Sequence, residues 1–184
     1  GNYPAMTSLK KVSILGTFIS SSADTDTKIF WRCFSRNADL TEVVLSGKNA
    51  TNFSRFAFPN VTTLSILGGE ATFTGYTLGD SKLEKVTIDV NKYSSESGSF
   101  RYAKKLKTFR LKADSANLDN RAFVECPSLV AVDLTECGSI TYGDNTFGSM
   151  TTEGQHNEPM SHTAIIYVSN TSANPKEAKN KAGL

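Results

Sequence analysis

The side chains able to do chemistry in this chain fall mostly on one recurring set of positions. Asp89 and Asp133 are the carboxylates that could work as a pair. In the repeated pattern to which both belong they lie two copies apart, roughly 9–10 Å at the usual strand spacing. An inverting glycosidase pair can use that separation. Arg110 occupies the copy between them, however, and makes a structural charge row the better reading. Lys85, Thr87, Thr108 and Lys112 extend the row into a mixed face of ammonium, guanidinium, carboxylate and hydroxyl groups. Such a face can hold a protein or a glycan through many shallow contacts. Lys85, Thr87, Asp89, Thr108, Arg110, Lys112 and Asp133 are therefore the candidate binding residues. No aromatic cluster falls on the same outward positions, so charge and hydroxyl groups, rather than stacking on a sugar ring, are expected to carry recognition.

Other chemistries have less support. His156 and His162 lie in Glu153-Gly-Gln-His156-Asn-Glu158-Pro-Met-Ser-His162. That spacing matches none of the helical His-Glu-x-x-His metal patterns and reads as a solvated loop. Asp24-Thr-Asp26 lacks the further ligands and the turn glycine of a calcium loop. Without a Gly-x-Ser-x-Gly elbow or a phosphate loop, no catalytic residue, metal or cofactor is expected. Cys33, Cys126 and Cys137 are an odd set without metal-type pairs and read as small buried apolar residues. A Cys126–Cys137 bridge within one repeat is the alternative, disfavoured by the apolar frame around Cys126.

Charge and hydropathy narrow the class further. The 20 basic and 18 acidic residues leave a net charge of +2, without the basic stripe that nucleic acid demands. No apolar run approaches the roughly 18 residues of a membrane span. Residues 1–8 lack a signal peptide's basic start and apolar centre, so a soluble chain without direct membrane insertion is expected. Gly1 ahead of a Ser/Thr-rich stretch is compatible with a start from which an export signal was trimmed. Asn49, Asn52, Asn60 and Asn170 head glycosylation triplets, which count only in a eukaryotic secretory pathway.

What positions the candidate face is a repeat. The pattern apolar-x-x-apolar-x-apolar recurs at Leu9/Val12/Ile14, Leu40/Val43/Leu45, Val61/Leu64/Ile66, Leu83/Val86/Ile88, Leu106/Phe109/Leu111 and Leu129/Val132/Leu134. A degenerate seventh copy reads His162/Ile165/Tyr167. Leading positions are spaced by 31, 21, 22, 23, 23 and 33 residues, and the inner four spacings suit leucine-rich repeats. One turn of this length cannot bury its own apolar side, but turns stacked in parallel bury theirs against one another. The alternating pair in each copy reads as a short strand, with Ser13, Val44, Ser65, Thr87, Arg110, Asp133 and Ile166 pointing outward. Phe34, Phe56, Leu78, Phe100 and Phe123 precede the leading residues and anchor the return. Polar residues such as those of Arg101–Lys105 suit one exposed helical turn, while Phe73, Tyr93, Leu118 and Ile140 fit a second short strand.

The unit from Leu118 through Phe123, Cys126, Leu129 and Val132 to Leu134 resembles the BspA-type leucine-rich repeat, most closely over residues 100–147 and more loosely over 34–99. Cys126 alone carries the family's cysteine, with Ala103 at the equivalent place one copy earlier, and the family's post-strand proline is missing. The fold expected is a right-handed repeat solenoid of about seven turns, mainly β with short helical turns. It would form a single domain over 1–184, with an irregular first repeat (1–39), regular repeats (40–148), and an irregular last repeat with a capping helix (149–184). Asn174-Pro-Lys-Glu177 supplies that helix's N-terminal signals and Gly183 its stop. The long spacings place polar loops at 20–30 and 149–161, read as capping irregularity; Phe30 and Trp31 beside the first read as core anchors. The resemblance implies an extracellular or cell-surface protein of bacterial type, with a non-catalytic adhesion role towards a host protein or extracellular polymer. A structural spacer and a polysaccharide-active enzyme using Asp89 or Asp133 are the competing classes.

Overall fold

Alternation of apolar and polar residues dictates strands, and strands form at every copy of the pattern. The computed structural model describes residues 9–16, 37–47, 49–51, 60–73, 78, 81–147 and 163–169. Its strands are β1 (Lys11–Leu15), β2 (Glu42–Ser46), β3 (Asn49–Thr51), β4 (Thr63–Leu67), β5 (Glu70–Phe73), β6 (Lys85–Ser95), β7 (Thr108–Leu118), β8 (Ala131–Tyr142) and β9 (Ile165–Val168). Seven of them pair in series as β1-β2-β4-β6-β7-β8-β9, every pair parallel, while β3 and β5 pair beside them and lead into β6. The chain is a parallel β-solenoid.

Equivalent residues of successive copies stand side by side. Leu64, Val86, Phe109 and Val132 form one inner row; Ile66, Ile88, Leu111 and Leu134 line the core on neighbouring strands, and none of the eight is more than 3% exposed. Burying side chains of this size stabilises by about 1.5–3 kcal/mol each. The expected second strand is present, separate as β3 and β5 in the earlier copies and fused to the first in β6, β7 and β8. In β7 the inward positions are Phe109, Leu111 and Ala113, then Ala116 and Leu118, with two consecutive exposed residues, Asp114 and Ser115, between the runs. The strand turns a corner there while its ladder to β6 and β8 continues. Gly138 of β8 allows the close approach at that corner, since a Cβ on it would stand 2.6 Å from the Asp114 carbonyl oxygen.

Aromatic residues fill the side opposite the first strands. Phe123 lies stacked between Phe100 and Phe147, with ring centroids 5.3 and 5.4 Å away, and Phe109 meets the Phe100 and Phe123 rings edge-on. Cys126 and Cys137 are free and buried, their thiols on the carbonyl oxygens of Phe100 and Leu111 at 3.2 and 3.4 Å. Burial pushes the Cys126 thiol up to about 12 and the Cys137 thiol up to about 11. Both therefore act as small core residues, and the bridge between them does not form.

Two expectations need correction. No helix occurs among the described residues, so the polar runs after Phe100 and Phe123 are not helical turns. Arg101, Ala103 and Val124 close isolated turns on Gly98, Phe100 and Arg121, Tyr102 reaches Val124 of the next coil, and the N–H groups leading into the aromatics also cross between coils: Gly98 to Asn120, Phe100 to Ala122, Arg121 to Asp144 and Phe123 to Thr146. Left-handed residues recur at matching places, Gly98, Arg121 and Asn145 two positions before an aromatic and Tyr102 and Glu125 two positions after one. A residue in the left-handed region ends a turn before a right-handed helix can propagate. Stacking the coils uses the flanking N–H groups between copies.

The second correction concerns the last copy. Val132 pairs with Ile166 and Asp133 with Tyr167, so Ile166 packs towards the core while Ile165 and Tyr167 point outward, 55% and 46% exposed. The frame is one residue later than the pattern His162/Ile165/Tyr167 implies. Because side chains alternate with period two, a slip of one residue exchanges the two faces. The expected anchors Phe34 and Phe56, the Phe30-Trp31 pair, Cys33, both histidines, Asp24 and Asp26, the loops 20–30 and 149–161, and the capping helix lie outside the described residues.

Candidate binding face

In-register parallel pairing aligns the first two rows of outward side chains across β6, β7, β8 and β9, and a one-residue shift in β8 forms the third. Lys85, Thr108, Ala131 and Ile165 form the first row. Thr87, Arg110, Asp133 and Tyr167 form the second, and Asp89, Lys112 and Glu136 the third. All seven candidate residues thus stand on three adjacent strands. Lys85, Thr87, Thr108, Arg110 and Asp133 line one groove of about 420 Å³, which Ala131, Thr135 and Tyr167 complete. Asp89 and Lys112 lie one row beyond it and pair with each other at 3.1 Å.

Arg110 is the electrostatic centre of the face. Its Nη2 donates a hydrogen bond to Glu136 Oε1, and its Nε stands 3.7 Å from Asp133 Oδ2. The Glu136 hydrogen bond first, then the charges of Glu136 and Asp133, push the guanidinium pKa up against slight desolvation. Asp133 is oriented from its other side: Thr135 donates its hydroxyl and its backbone N–H to Oδ1 at 2.7 and 3.0 Å. Burial opposes ionisation of Asp133, but the two Thr135 hydrogen bonds and the Arg110 charge prevail, and its pKa falls below the model-compound value of 3.8. The two carboxylates weighed as a glycosidase pair therefore sit in different rows, each committed to a neighbouring cation.

A β-bulge builds this arrangement. Arg110 pairs with Asp133, yet Lys112 pairs with Glu136, so β8 carries one residue more than β7 over the same stretch. Bulges re-aim side chains, and here Thr135 and Glu136 are both exposed beside Asp133 and Arg110. Sequence reasoning missed both residues. Their signal was nevertheless present: Phe100 and Phe123 are 23 positions apart, Phe123 and Phe147 are 24. Ala131 was passed over as well, although its small size opens the groove floor between Thr108 and Ile165. Tyr167 was missed for the frame slip, and it places an aromatic ring on a face expected to have none.

Among the described residues no group of three or more His, Cys, Asp or Glu is placed to hold a metal ion, and no helix is long and apolar enough to cross a membrane. The family described as a BspA type leucine rich repeat region, in 6 copies, matches residues 27–153. That span is well over half of the 184 residues, and the chain belongs to this family. No curated protein and no solved structure matches it.

Proposed function

We propose that this BspA-type leucine-rich-repeat chain is a non-catalytic binding module of a secreted or cell-surface protein, adhering to a host protein or an extracellular polymer through its outward sheet face. The groove beside Arg110 is the observation that carries the reading. It concentrates oriented charge, hydroxyl groups and an exposed ring on the one side of β6 to β9 that the core does not use. Extracellular or surface placement and bacterial type belong to the same proposal and draw on family membership. So does a right-handed winding of about seven repeats, which the seven serially paired strands support.

The test is an array of glycans and matrix proteins probed with the intact chain and with a variant reversing charge at Lys85, Arg110 and Lys112. These side chains are exposed, and exposed ion pairs contribute only about 0–1 kcal/mol, so the variant is expected to fold. Partners bound by the wild type and lost from the variant are the expected result. One observation favours a structural spacer instead, since Lys112 and Arg110 are already neutralised by Asp89, Asp133 and Glu136. A spacer would leave the array pattern and the adhesion of the full-length protein unchanged by the charge reversal.

A further inference from the structure

We propose that the groove takes an acidic oligosaccharide, with a carboxylate held by Lys85 and a sugar ring resting on Tyr167, an assignment that rests on the binding role proposed for this face. Four cations project from the outward rows. Lys11 is paired with Glu42 at 2.7 Å, Lys112 with Asp89 at 3.1 Å, and Arg110 with Asp133 and Glu136. Lys85 has no ion-pair partner among the described residues, and its row neighbours Thr63 and Thr108 are neutral. An exposed ammonium at the mouth of a groove gains most from an anion brought by a ligand, because a charge-assisted hydrogen bond is about twice as strong as a neutral one.

The opposite end of the groove has different chemistry. There the Tyr167 ring is 46% exposed beside Ile165 at 55%. Lys85 on β6 and Tyr167 on β9 are three strand spacings and one row apart, about 16 Å at about 4.8 Å per strand and about 3.3 Å per residue. The ligand must therefore be extended, offering a carboxylate at one end and the flat face of a ring at the other. Between the ends, the Thr108 hydroxyl and the Asp133 carboxylate offer a donor and acceptors, and Ala131 leaves room above the backbone.

Along the groove floor the ladder favours a glycan over an acidic peptide. β6, β7 and β8 are interior strands whose backbone groups are already paired on both sides. One way a peptide gains affinity on a sheet is by adding a strand at an open edge, and the groove floor from Lys85 to Asp133 offers none; of the groove's strands only β9, which carries Tyr167, ends the strand order. A glycan carries its polar groups as pendant hydroxyls and carboxylates, which side chains alone can satisfy.

Isothermal titration of the full chain tests the assignment with three probes: an oligogalacturonide long enough to reach from Lys85 to Tyr167, its carboxyl-reduced counterpart, and a short polyglutamate peptide. The oligogalacturonide is expected to bind about 10-fold tighter than the reduced sugar, weakening with salt. Lys85→Ala should remove that preference, Lys85→Arg should restore most of it, and Tyr167→Ala should weaken both sugars alike. Equal binding of the two sugars, preference for polyglutamate, or indifference to Lys85→Ala would each overturn the acidic-glycan assignment. If the sugars fail while an array partner is lost on charge reversal, the ligand class is wrong and the binding role stands. If no array partner exists either, both fall.

Discussion

The inner and outer residues of β6, β7 and β8 share one backbone and one register, yet they behave as two different sequences. Inward, the rows are nearly monotonous: Val86, Phe109 and Val132, then Ile88, Leu111 and Leu134, all buried. Outward, Thr87, Arg110 and Asp133 differ in charge, size and hydrogen-bonding capacity at every step. Parallel stacking explains the contrast. An inner residue must fit the same slot as its neighbours above and below, where interiors pack at crystal-like density. An outer residue meets water, and only its neighbours' charge limits it. The inner rows therefore specify the solenoid, and the outer rows are left free to specify a partner.

The comparison breaks hardest at Phe123. Truncating it to alanine removes the middle ring of the Phe100–Phe123–Phe147 stack, and a loss of about 3–5 kcal/mol is expected in denaturant unfolding. Gly138→Ala comes next. Its added methyl would press on the Asp114 carbonyl oxygen, with about 1–3 kcal/mol lost as the β7–β8 corner moves apart. Arg110→Ala, on the outer side, should cost under about 1 kcal/mol. Equal penalties for Phe123→Ala and Arg110→Ala would dissolve the distinction between the rows.

Titration sharpens the same contrast. Asp133 ionises more readily folded than unfolded, so its contribution to stability is complete above the ordinary value of 3.8 and is lost as pH falls through its lower folded value. Chemical shifts of its carboxyl carbon should show a midpoint below 3.8 in the wild type and nearer the ordinary value in Thr135→Ala. Cys126 behaves in the opposite sense: its thiol stays protonated to about 12 when folded, so alkylation at neutral pH should proceed only through unfolding. A fast reaction in the native protein would place Cys126 outside the core.

How much was legible in the sequence follows from the same asymmetry. The inner rows could be read because the same apolar frame returns in copy after copy, and Leu106/Phe109/Leu111 and Leu129/Val132/Leu134 fell where the frame put them. Repetition also located the outward candidates of β6 to β8. It failed where the frame was ambiguous. Ile165-Ile166-Tyr167-Val168 is apolar at every position, so period two could not choose a face, and only pairing of Val132 with Ile166 fixed it. It failed again at the turns, since a polar run says nothing of whether its N–H groups bond within the run or to the next coil. The bulge that presents Thr135 and Glu136 lay in a single extra residue between Phe123 and Phe147, a change of spacing rather than of composition.

The most direct test of the outward face as a recognition surface is the array pattern of Ala131→Trp beside that of the wild type, with equal thermal midpoints confirming that both fold. Ala131 lines the groove floor and points away from the core, so its enlargement fills the groove and should leave stability within about 0.5 kcal/mol. The account predicts that the partners bound by the wild type disappear from the variant. An unchanged pattern of partners in a folded Ala131→Trp protein would contradict it.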